Sequence, residues 1–149
     1  MTAAITLAGP DHLTSVLTLM ERCHLERALP YDDAHREAVI APLLQGSPLG
    51  AIWTVGPARA PLGYVLITFG WSLTQGGMVG WVEDIYVRPS VRKRGIGTEV
   101  LHAVSLSLRE AGVKALHTIA PADNADVQRF CTRVGFQQDA DSPIMTDVL

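Results

Sequence analysis

Cysteines and long apolar runs are both scarce in this chain of 149 residues. It has only two cysteines, Cys23 and Cys131, and neither stands in a CxxC pair or beside histidines at metal-ligand spacing. No apolar run approaches the ~20 residues that a membrane-spanning helix needs. The N-terminus, Met1-Thr2-Ala3-Ala4-Ile5, lacks the basic region of a secretory signal. We therefore expect a cytoplasmic protein without a disulfide framework, a metal centre or a membrane span.

Strong charge and aromatic residues are also lacking. The formal net charge is −3, and aromatic residues make up 6% of the chain. One alternative function is nucleic-acid binding through the basic residues Arg88, Arg92, Lys93 and Arg94. The acidic net charge and the lack of aromatic residues among these cations argue against it. The hydrophobic content of 48% predicts a packed core, and the length predicts one domain spanning residues 1–149.

Apolar periodicity and turn residues predict alternating strands and helices. In order, we expect a strand at 3–8, a helix carrying Leu13 to Met20, a helix capped by Asp32 or Asp33 and ending near Gly46, strands at 51–55 and 62–69, a long strand ending at Val87, a helix at about 96–110, a strand at 115–120, a helix from Asp123 or Asn124 to Gly135, and a closing hairpin around 136–138 and 144–146. This order predicts an α/β fold with a mixed central sheet flanked by helices.

The most informative stretch is the basic, glycine-containing loop Arg92–Gly97. The apolar strand Trp81–Val87 precedes it, and the helical pattern beginning near Ile96 follows it. The first turn of a helix leaves backbone N–H groups unpaired and carries the positive end of the helix dipole. Two glycines allow close approach of a ligand, and three cations add attraction. This combination predicts an anion site suited to a pyrophosphate.

The spacing of the glycines narrows the choice of ligand. The loop lacks the G-x-x-x-x-G-K-[ST] of nucleotide-triphosphate sites and the third glycine of a dinucleotide fingerprint. It reads R-x-x-G-x-G after a strand ending Val-Arg-Pro, and here the chain closely resembles the GNAT superfamily of N-acetyltransferases. A second match follows in Asn124, Phe130, Gly135 and Phe136, which resemble that family's motif of an Asn and a short helix ending in Gly-Phe.

The resemblance implies a single-domain GNAT-like fold, with acetyl-CoA as co-substrate. Many relatives pair as homodimers, and the sequence leaves the oligomeric state of this chain open. The strand before the loop, at Ile85, Tyr86 and Val87, is expected to pair with the pantetheine arm, and a backbone N–H there to polarise the acetyl carbonyl. The remaining cofactor-binding residues that the resemblance implies are Arg92, Lys93, Arg94, Gly95, Ile96, Gly97, Thr98, Asn124 and Phe130.

Acetylation of an amine requires a base. A lysine-like amine with a pKa of ~10.4 is almost entirely protonated at neutral pH, so a side chain must accept its proton, directly or through water. Glu83 and Asp84 lie on the long strand with side chains on opposite faces. Related proteins with a Glu-Asp pair at this place favour Glu83, and alternation puts Glu83 on the side of Ile85 and Val87.

The sequence departs from the family at the residue after Phe130. Many members carry a tyrosine there that donates a proton to the leaving thiolate, whereas this chain has Cys131. A thiol could donate instead, or Cys131 could be a small buried hydrophobic residue. This departure leaves open an alternative function, a non-catalytic acyl-CoA-binding or regulatory module of the same fold.

The acceptor pocket is expected between the first two helices and around the central strands. We take Tyr31 and Trp71 as its candidate residues. The acids Asp32, Asp33, Glu83 and Asp84 would favour a cationic amine, either on a small molecule or on a protein. The sequence leaves the identity of this acceptor open.

Overall fold

A computed structural model describes residues 4–121 and 123–138 of the chain. The chain divides into two compact units, with the boundary between Ile119 and Ala120. The first unit holds every strand of the described sheet and three helices, and the second holds one further helix. The expectation of a single domain stays a prediction.

The elements follow the predicted order. Those of the first unit are β1 (Ile5–Leu7), α1 (Leu13–Glu26), α2 (Asp33–Leu44), β2 (Gly50–Val55), β3 (Gly63–Ser72), β4 (Gly77–Val87), α3 (Ile96–Glu110) and β5 (Ala115–Thr118), with 3₁₀ turns at Pro10–His12 and Pro89–Val91. Asp32 caps α2, because its Oδ1 accepts a hydrogen bond of 2.8 Å from the N–H of His35.

The five strands form one sheet in the order β1-β2-β3-β4-β5. The first three pairings are antiparallel, and β4 pairs with β5 in parallel. A parallel pair needs a crossover connection, and α3 supplies it. The mixed sheet predicted from the sequence is confirmed. However, β3 runs three residues beyond the predicted Phe69, because the β3–β4 ladder continues to the Ser72–Gly77 pair.

Helices cover both faces of the sheet. On one face, α1 and α2 pack on alternate residues of the strands in a core cluster that includes Leu19, Ile40, Ile52, Tyr64 and Tyr86. On the other face, α3 packs against β4. Its buried side chains follow helical spacing, at Val100, Leu101, Val104 and Leu108.

Two irregularities in β4 shape the edge that faces β5. The β3–β4 register shifts between Leu66, opposite Asp84, and Ile67, opposite Val82. Glu83 is therefore the extra residue of a β-bulge, which bends the strand locally. Pairing with β5 ends at Val82, the residue just before this bulge. Within the described sheet, the part of β4 after Val82 consequently has no strand partner on the β5 side.

The second unit contains α4 (Ala125–Arg133). Residues 136–138 carry no strand, and the second half of the predicted hairpin, around 144–146, lies outside the described residues. Within residues 4–121 and 123–138, no helix combines the length and the apolar character that crossing a membrane requires.

Gly63 is expected to be essential for bringing β3 and β4 together. A Cβ at this position would lie 2.2 Å from the carbonyl oxygen of Tyr86 and 3.1 Å from the Cα of Val87. Because both atoms belong to the backbone, Gly63→Ala should lower the free energy of unfolding by about 2–3 kcal/mol, as overpacking does. Urea denaturation measures the difference.

Gly70→Ala, in the same strand, is the matched control. A Cβ at Gly70 would meet no atom within 4 Å, so this variant should be neutral or slightly stabilising. Equal stability of the two variants would show that the close approach at Gly63 does not limit the fold.

Candidate functional site

The start of α3 is built to receive an anion. Its N-cap is Gly95, with a φ of 77°, and no side chain of the described residues caps this end. The first intrahelical bond is donated by the N–H of Glu99 to the carbonyl of Gly95, so the preceding N–H groups, at Ile96, Gly97 and Thr98, have no helical acceptor. These N–H groups and the positive end of the helix dipole lie where the sequence predicts a pyrophosphate site, and that assignment stays a prediction.

The loop before α3 has a second residue in the left-handed region. Lys93 has a φ of 63°, which costs a residue with a side chain of the order of 1 kcal/mol or more. Gly95, two residues further on, is left-handed as well. Two left-handed residues therefore stand directly before the N–H groups at the start of α3.

The three cations of the loop differ in their contacts. Arg92 donates from Nη1 and Nη2 to the two carboxylate oxygens of Glu26, at 2.5 and 2.7 Å, and from Nε to the carbonyl of Val87 at 2.8 Å. Lys93 and Arg94 are exposed and make no ion pair with another residue in the described ranges. Among the described residues, the side chains of Lys93 and Arg94 thus have no ion-pair partner, whereas that of Arg92 is paired; the cofactor-binding role of all three stays a prediction.

The end of β4 offers backbone groups rather than side chains. Tyr86 is buried, whereas Ile85 and Val87 are half-buried. Their β5-facing edge has no strand partner in the described sheet. Unpaired strand edges bind extended ligands by adding hydrogen bonds to the ladder, which is the arrangement expected for a pantetheine arm.

Asp84 lies at the centre of a buried polar network. Its Oδ2 accepts hydrogen bonds from the Tyr64 hydroxyl at 2.7 Å and from Nε2 of His24 at 2.9 Å. Its Oδ1 accepts one from Nη1 of Arg27 at 2.8 Å and faces the Cys23 thiol at 3.7 Å. The Asp84 side chain is only 7% exposed. This carboxylate is thus saturated by donors and enclosed, which are the properties of a positioning group.

The two neutral donors of the network keep their protons. Burial and then the Asp84 charge raise the pKa of the Tyr64 phenol, and the same two causes raise the pKa of the Cys23 thiol. Cys23, His24 and Asp84 offer ligand atoms within 4.8 Å of one another. A protonated thiol and the guanidinium of Arg27 both disfavour a metal cation there, since metal binding requires the thiolate.

Glu83, the preferred candidate base, is in the opposite environment. Its side chain is exposed and accepts a hydrogen bond of 2.9 Å from the Thr68 hydroxyl on β3. The neighbouring carboxylates of β4 therefore differ sharply, because Glu83 is open to solvent and Asp84 is enclosed. Only Glu83 has access to an incoming molecule without a rearrangement.

The two candidate acceptor residues lie in different places. The Tyr31 ring, between α1 and α2, stacks on His35 at 4.9 Å and meets the edge of His24 at 5.1 Å. Trp71 is 80% exposed and pairs with Met78 near the β3–β4 turn. It stands five residues along β3 from Leu66, which faces Asp84, a span of about 16 Å. The sheet therefore keeps Trp71 well away from the Asp84 network.

The predicted residues of the second unit occupy α4 and its cap. The Asn124 side chain accepts a hydrogen bond of 3.1 Å from the N–H of Val127, so it caps the helix. Phe130 is half-buried and Cys131 is buried. Burial raises the pKa of the Cys131 thiol. This thiol therefore holds its proton at neutral pH but gives it up less readily than an ordinary cysteine would.

The sequence analysis missed two sets of contacts in the first unit. One is the ion pair of Arg92 with Glu26, and the other is the set of donors around Asp84. Their partners are separated by 66 and by up to 61 residues in sequence, respectively. The only sequence signal is the polar cluster Cys23-His24-Leu25-Glu26-Arg27 at the end of α1, on a helix whose other face is apolar.

The sequence and the fold of this chain were compared with those of known proteins. A model of the acetyltransferase (GNAT) family matches residues 13–136, a range that includes the loop before α3 and the Asn124 motif. No curated protein is similar enough in sequence to count as a match.

Solved structures share the fold over nearly the whole chain. HFX_CASS3, an integron cassette protein from the mobile metagenome of Cole Harbour Salt Marsh, is 26% identical, with 97% of this chain and 90% of that chain covered and a TM-score of 0.83. AAC(6')-Iy, in complex with the bisubstrate analogue CoA-S-monomethyl-acetylneamine, is 16% identical over 100% of both chains, with a TM-score of 0.83. A predicted acetyltransferase from Clostridium acetobutylicum, with acetyl-CoA, is 16% identical over 97% of this chain and 96% of that chain, with a TM-score of 0.77.

Proposed function

Since the chain belongs to the acetyltransferase (GNAT) family, we propose that it transfers the acetyl group of acetyl-CoA to a primary amine. The single observation that carries the proposal is the start of α3, where unpaired N–H groups follow a loop with left-handed Lys93 and Gly95. Acetyl-CoA is the co-substrate expected for the family, and the negative charge of its pyrophosphate suits this site. Two of the similar solved structures contain acetyl-CoA or a CoA-linked analogue.

The residues of β4 support a direct transfer. Acetyl-CoA, when bound, supplies a thioester whose carbonyl carbon the amine attacks, so that a C–N bond forms and the C–S bond breaks. A backbone N–H on the free edge near Ile85 would hydrogen-bond the carbonyl oxygen as negative charge develops there. Glu83 would take the amine's proton, directly or through one water.

Glu83→Gln is the direct test of the proposed base. The glutamine keeps the size and the contact with Thr68 but cannot accept a proton. We expect kcat/KM to fall by about 10²–10⁴-fold, with the Kd for acetyl-CoA unchanged. The remaining rate should rise with pH as the amine itself deprotonates. A pH–rate profile with a primary polyamine as acceptor measures both effects.

Thr68→Val is the matched control, because it removes the hydrogen bond to Glu83 and leaves the carboxylate. Its effect should be much smaller than that of Glu83→Gln. Full turnover of Glu83→Gln across the pH range would show that the base lies elsewhere.

The charges between α1 and α2, where the acceptor pocket is expected, favour a cationic amine. Asp32 and Asp33 directly follow Tyr31, although Asp33 is paired with Arg36 at 2.6 Å. The acceptor that we propose is therefore an amine carried on a small molecule or a protein and bearing positive charge. We also propose that the protein acts in the cytoplasm, which the two free cysteines support.

A second function, a non-catalytic acyl-CoA-binding module, is favoured by one observation. Cys131 occupies the place of the usual tyrosine, and burial raises its pKa. Such a module would bind acetyl-CoA and turn over no member of a broad amine panel. Turnover of any primary amine that Glu83→Gln abolishes would exclude it.

A further inference from the structure

The proposed transfer leaves one strong contact of the basic loop without a role. Arg92 opens the loop and would be expected to offer its charge to the phosphates. Instead, its guanidinium forms a two-pronged ion pair with Glu26, the last residue of α1. The hydrogen bonds with Arg92 lower the pKa of Glu26, so the carboxylate is ionised and the pair is fully charged at neutral pH.

Arg92 is held from three sides. Besides Glu26, its Nε donates to the carbonyl of Val87, the last residue of β4. Its guanidinium carbon lies 5.3 Å from the centre of the Tyr86 ring, within the range of a cation–π contact. The start of the loop is thereby attached to the ends of both β4 and α1.

The loop needs such an attachment because its conformation is unfavourable. Lys93, the residue immediately after Arg92, has a φ of 63°. A side chain in the left-handed region persists only where the surroundings fix it. Downstream, α3 fixes the loop through Gly95. Upstream, within the described residues, the contacts of Arg92 do so.

We propose that Glu26 is a positioning residue for acetyl-CoA, holding Arg92 so that the loop from Lys93 to Gly97 keeps its phosphate-binding form. This inference rests on the proposed acetyl-CoA site. It assigns Arg92 to the architecture of the loop and leaves the neutralisation of phosphate charge to Lys93 and Arg94.

The proposal can be separated from simple electrostatics by the sign of one effect. Glu26 is an anion near a site for an anion, so by Coulomb's law its removal should strengthen cofactor binding. If Glu26 instead organises the loop, its removal should weaken binding, because an unfixed loop must be ordered when the ligand binds.

The experiment compares Glu26→Gln with Glu21→Gln by calorimetric titration with acetyl-CoA. Glu21 is an exposed residue of the same helix, and its side chain makes no hydrogen bond or ion pair with another residue in the described ranges. Both variants therefore remove one negative charge. We expect Glu26→Gln to raise the Kd about tenfold by loosening the loop, and Glu21→Gln to leave it unchanged or slightly lower. Glu26→Asp, which keeps the charge on a shorter side chain, should recover part of the affinity.

Salt dependence separates residues whose charge acts on the phosphates from a residue that holds the loop in place. Lys93→Gln and Arg94→Gln should each flatten the dependence of the Kd on salt concentration, because each removes a charge that faces the phosphates. Glu26→Gln should weaken binding with that dependence preserved. Since Glu26 is 45% exposed, its variants should fold, which circular dichroism verifies.

The outcomes distinguish the proposed acetyl-CoA site from the proposed role of Glu26. A wild-type protein that fails to bind acetyl-CoA would overturn the proposed function and this inference with it. A wild-type protein that binds, together with a Glu26→Gln variant that binds as tightly or more tightly, would overturn this inference alone.

Discussion

Gly97→Asp should abolish measurable acetyl-CoA binding while the protein stays folded. Gly97 is the second residue of α3, among the N–H groups that have no helical acceptor. A carboxylate there would lie within a few ångströms of the pyrophosphate, where like charges repel by about 1–4 kcal/mol per pair. We expect the Kd to rise by at least about a hundredfold, since each 1.4 kcal/mol is a factor of ten.

Thermal unfolding with and without acetyl-CoA measures this effect. At about 100 times the Kd, a ligand adds about 2.7 kcal/mol to the stability of a protein that binds it. The wild type should therefore unfold at a higher temperature with acetyl-CoA, and Gly97→Asp should show no rise. In the absence of ligand the variant should lose little stability, because an acidic residue in the first turn of a helix interacts favourably with its dipole.

Gly97→Asn is the matched control for this substitution. It adds a side chain of the same size without the charge, so it should keep a substantial part of the affinity. If Gly97→Asp bound acetyl-CoA as well as the wild type does, the loop and the start of α3 could not be the cofactor site.

The features that the sequence predicted well are those set by local interactions. The GNAT fold and the family were predicted from the loop Arg92–Gly97, from the Asn124 motif and from the order of the elements, and both are confirmed. A glycine in the left-handed conformation before a helix, such as Gly95, and an aspartate that caps one, such as Asp32, act within a few residues. Features of this kind can therefore be predicted from a single sequence.

The features that the sequence did not predict depend on packing at long range. The Arg92–Glu26 pair and the Asp84 network form because α1 lies against β4, and no local pattern specifies which polar residues then meet. The bulge at Glu83 could not be predicted from the sequence either, since an extra residue in a strand is defined only by its pairing with the neighbouring strand. As a result, the loop motif predicts that Arg92 binds the cofactor, but it does not predict the ion pair of Arg92 with Glu26 at the end of α1.

The expectation that Glu83 and Asp84 lie on opposite faces of β4 stays a prediction, because Glu83 is the extra residue of a bulge, where regular alternation is interrupted. The two carboxylates do differ in exposure, since Glu83 is exposed and Asp84 is buried. What alternation could not tell is which of them is enclosed. That depends on the donors that Tyr64, His24 and Arg27 bring to Asp84 from two other elements.

Asp84→Ala should be among the most destabilising substitutions in the chain. It leaves the Tyr64 hydroxyl and Nε2 of His24 buried without their acceptor, and it leaves Arg27 without its anionic partner. Removing one member of a buried charged network costs about 3–5 kcal/mol. Urea denaturation, followed by circular dichroism, should show a loss of this size with little change in the slope of the unfolding free energy against denaturant.

Three further variants separate the charge of Asp84 from its hydrogen bonds. Tyr64→Phe removes one donor and leaves the carboxylate with its other donors, so it should cost only about 1–2 kcal/mol. Glu83→Gln, next to Asp84 on β4 but exposed, should change stability by less than about 0.5 kcal/mol.

Asp84→Asn keeps the shape of the side chain and loses its charge, and its amide N–H₂ would face donors. Its free energy of unfolding should therefore be close to that of Asp84→Ala. Stability of Asp84→Asn equal to wild type would mean that the network does not depend on an ionised carboxylate.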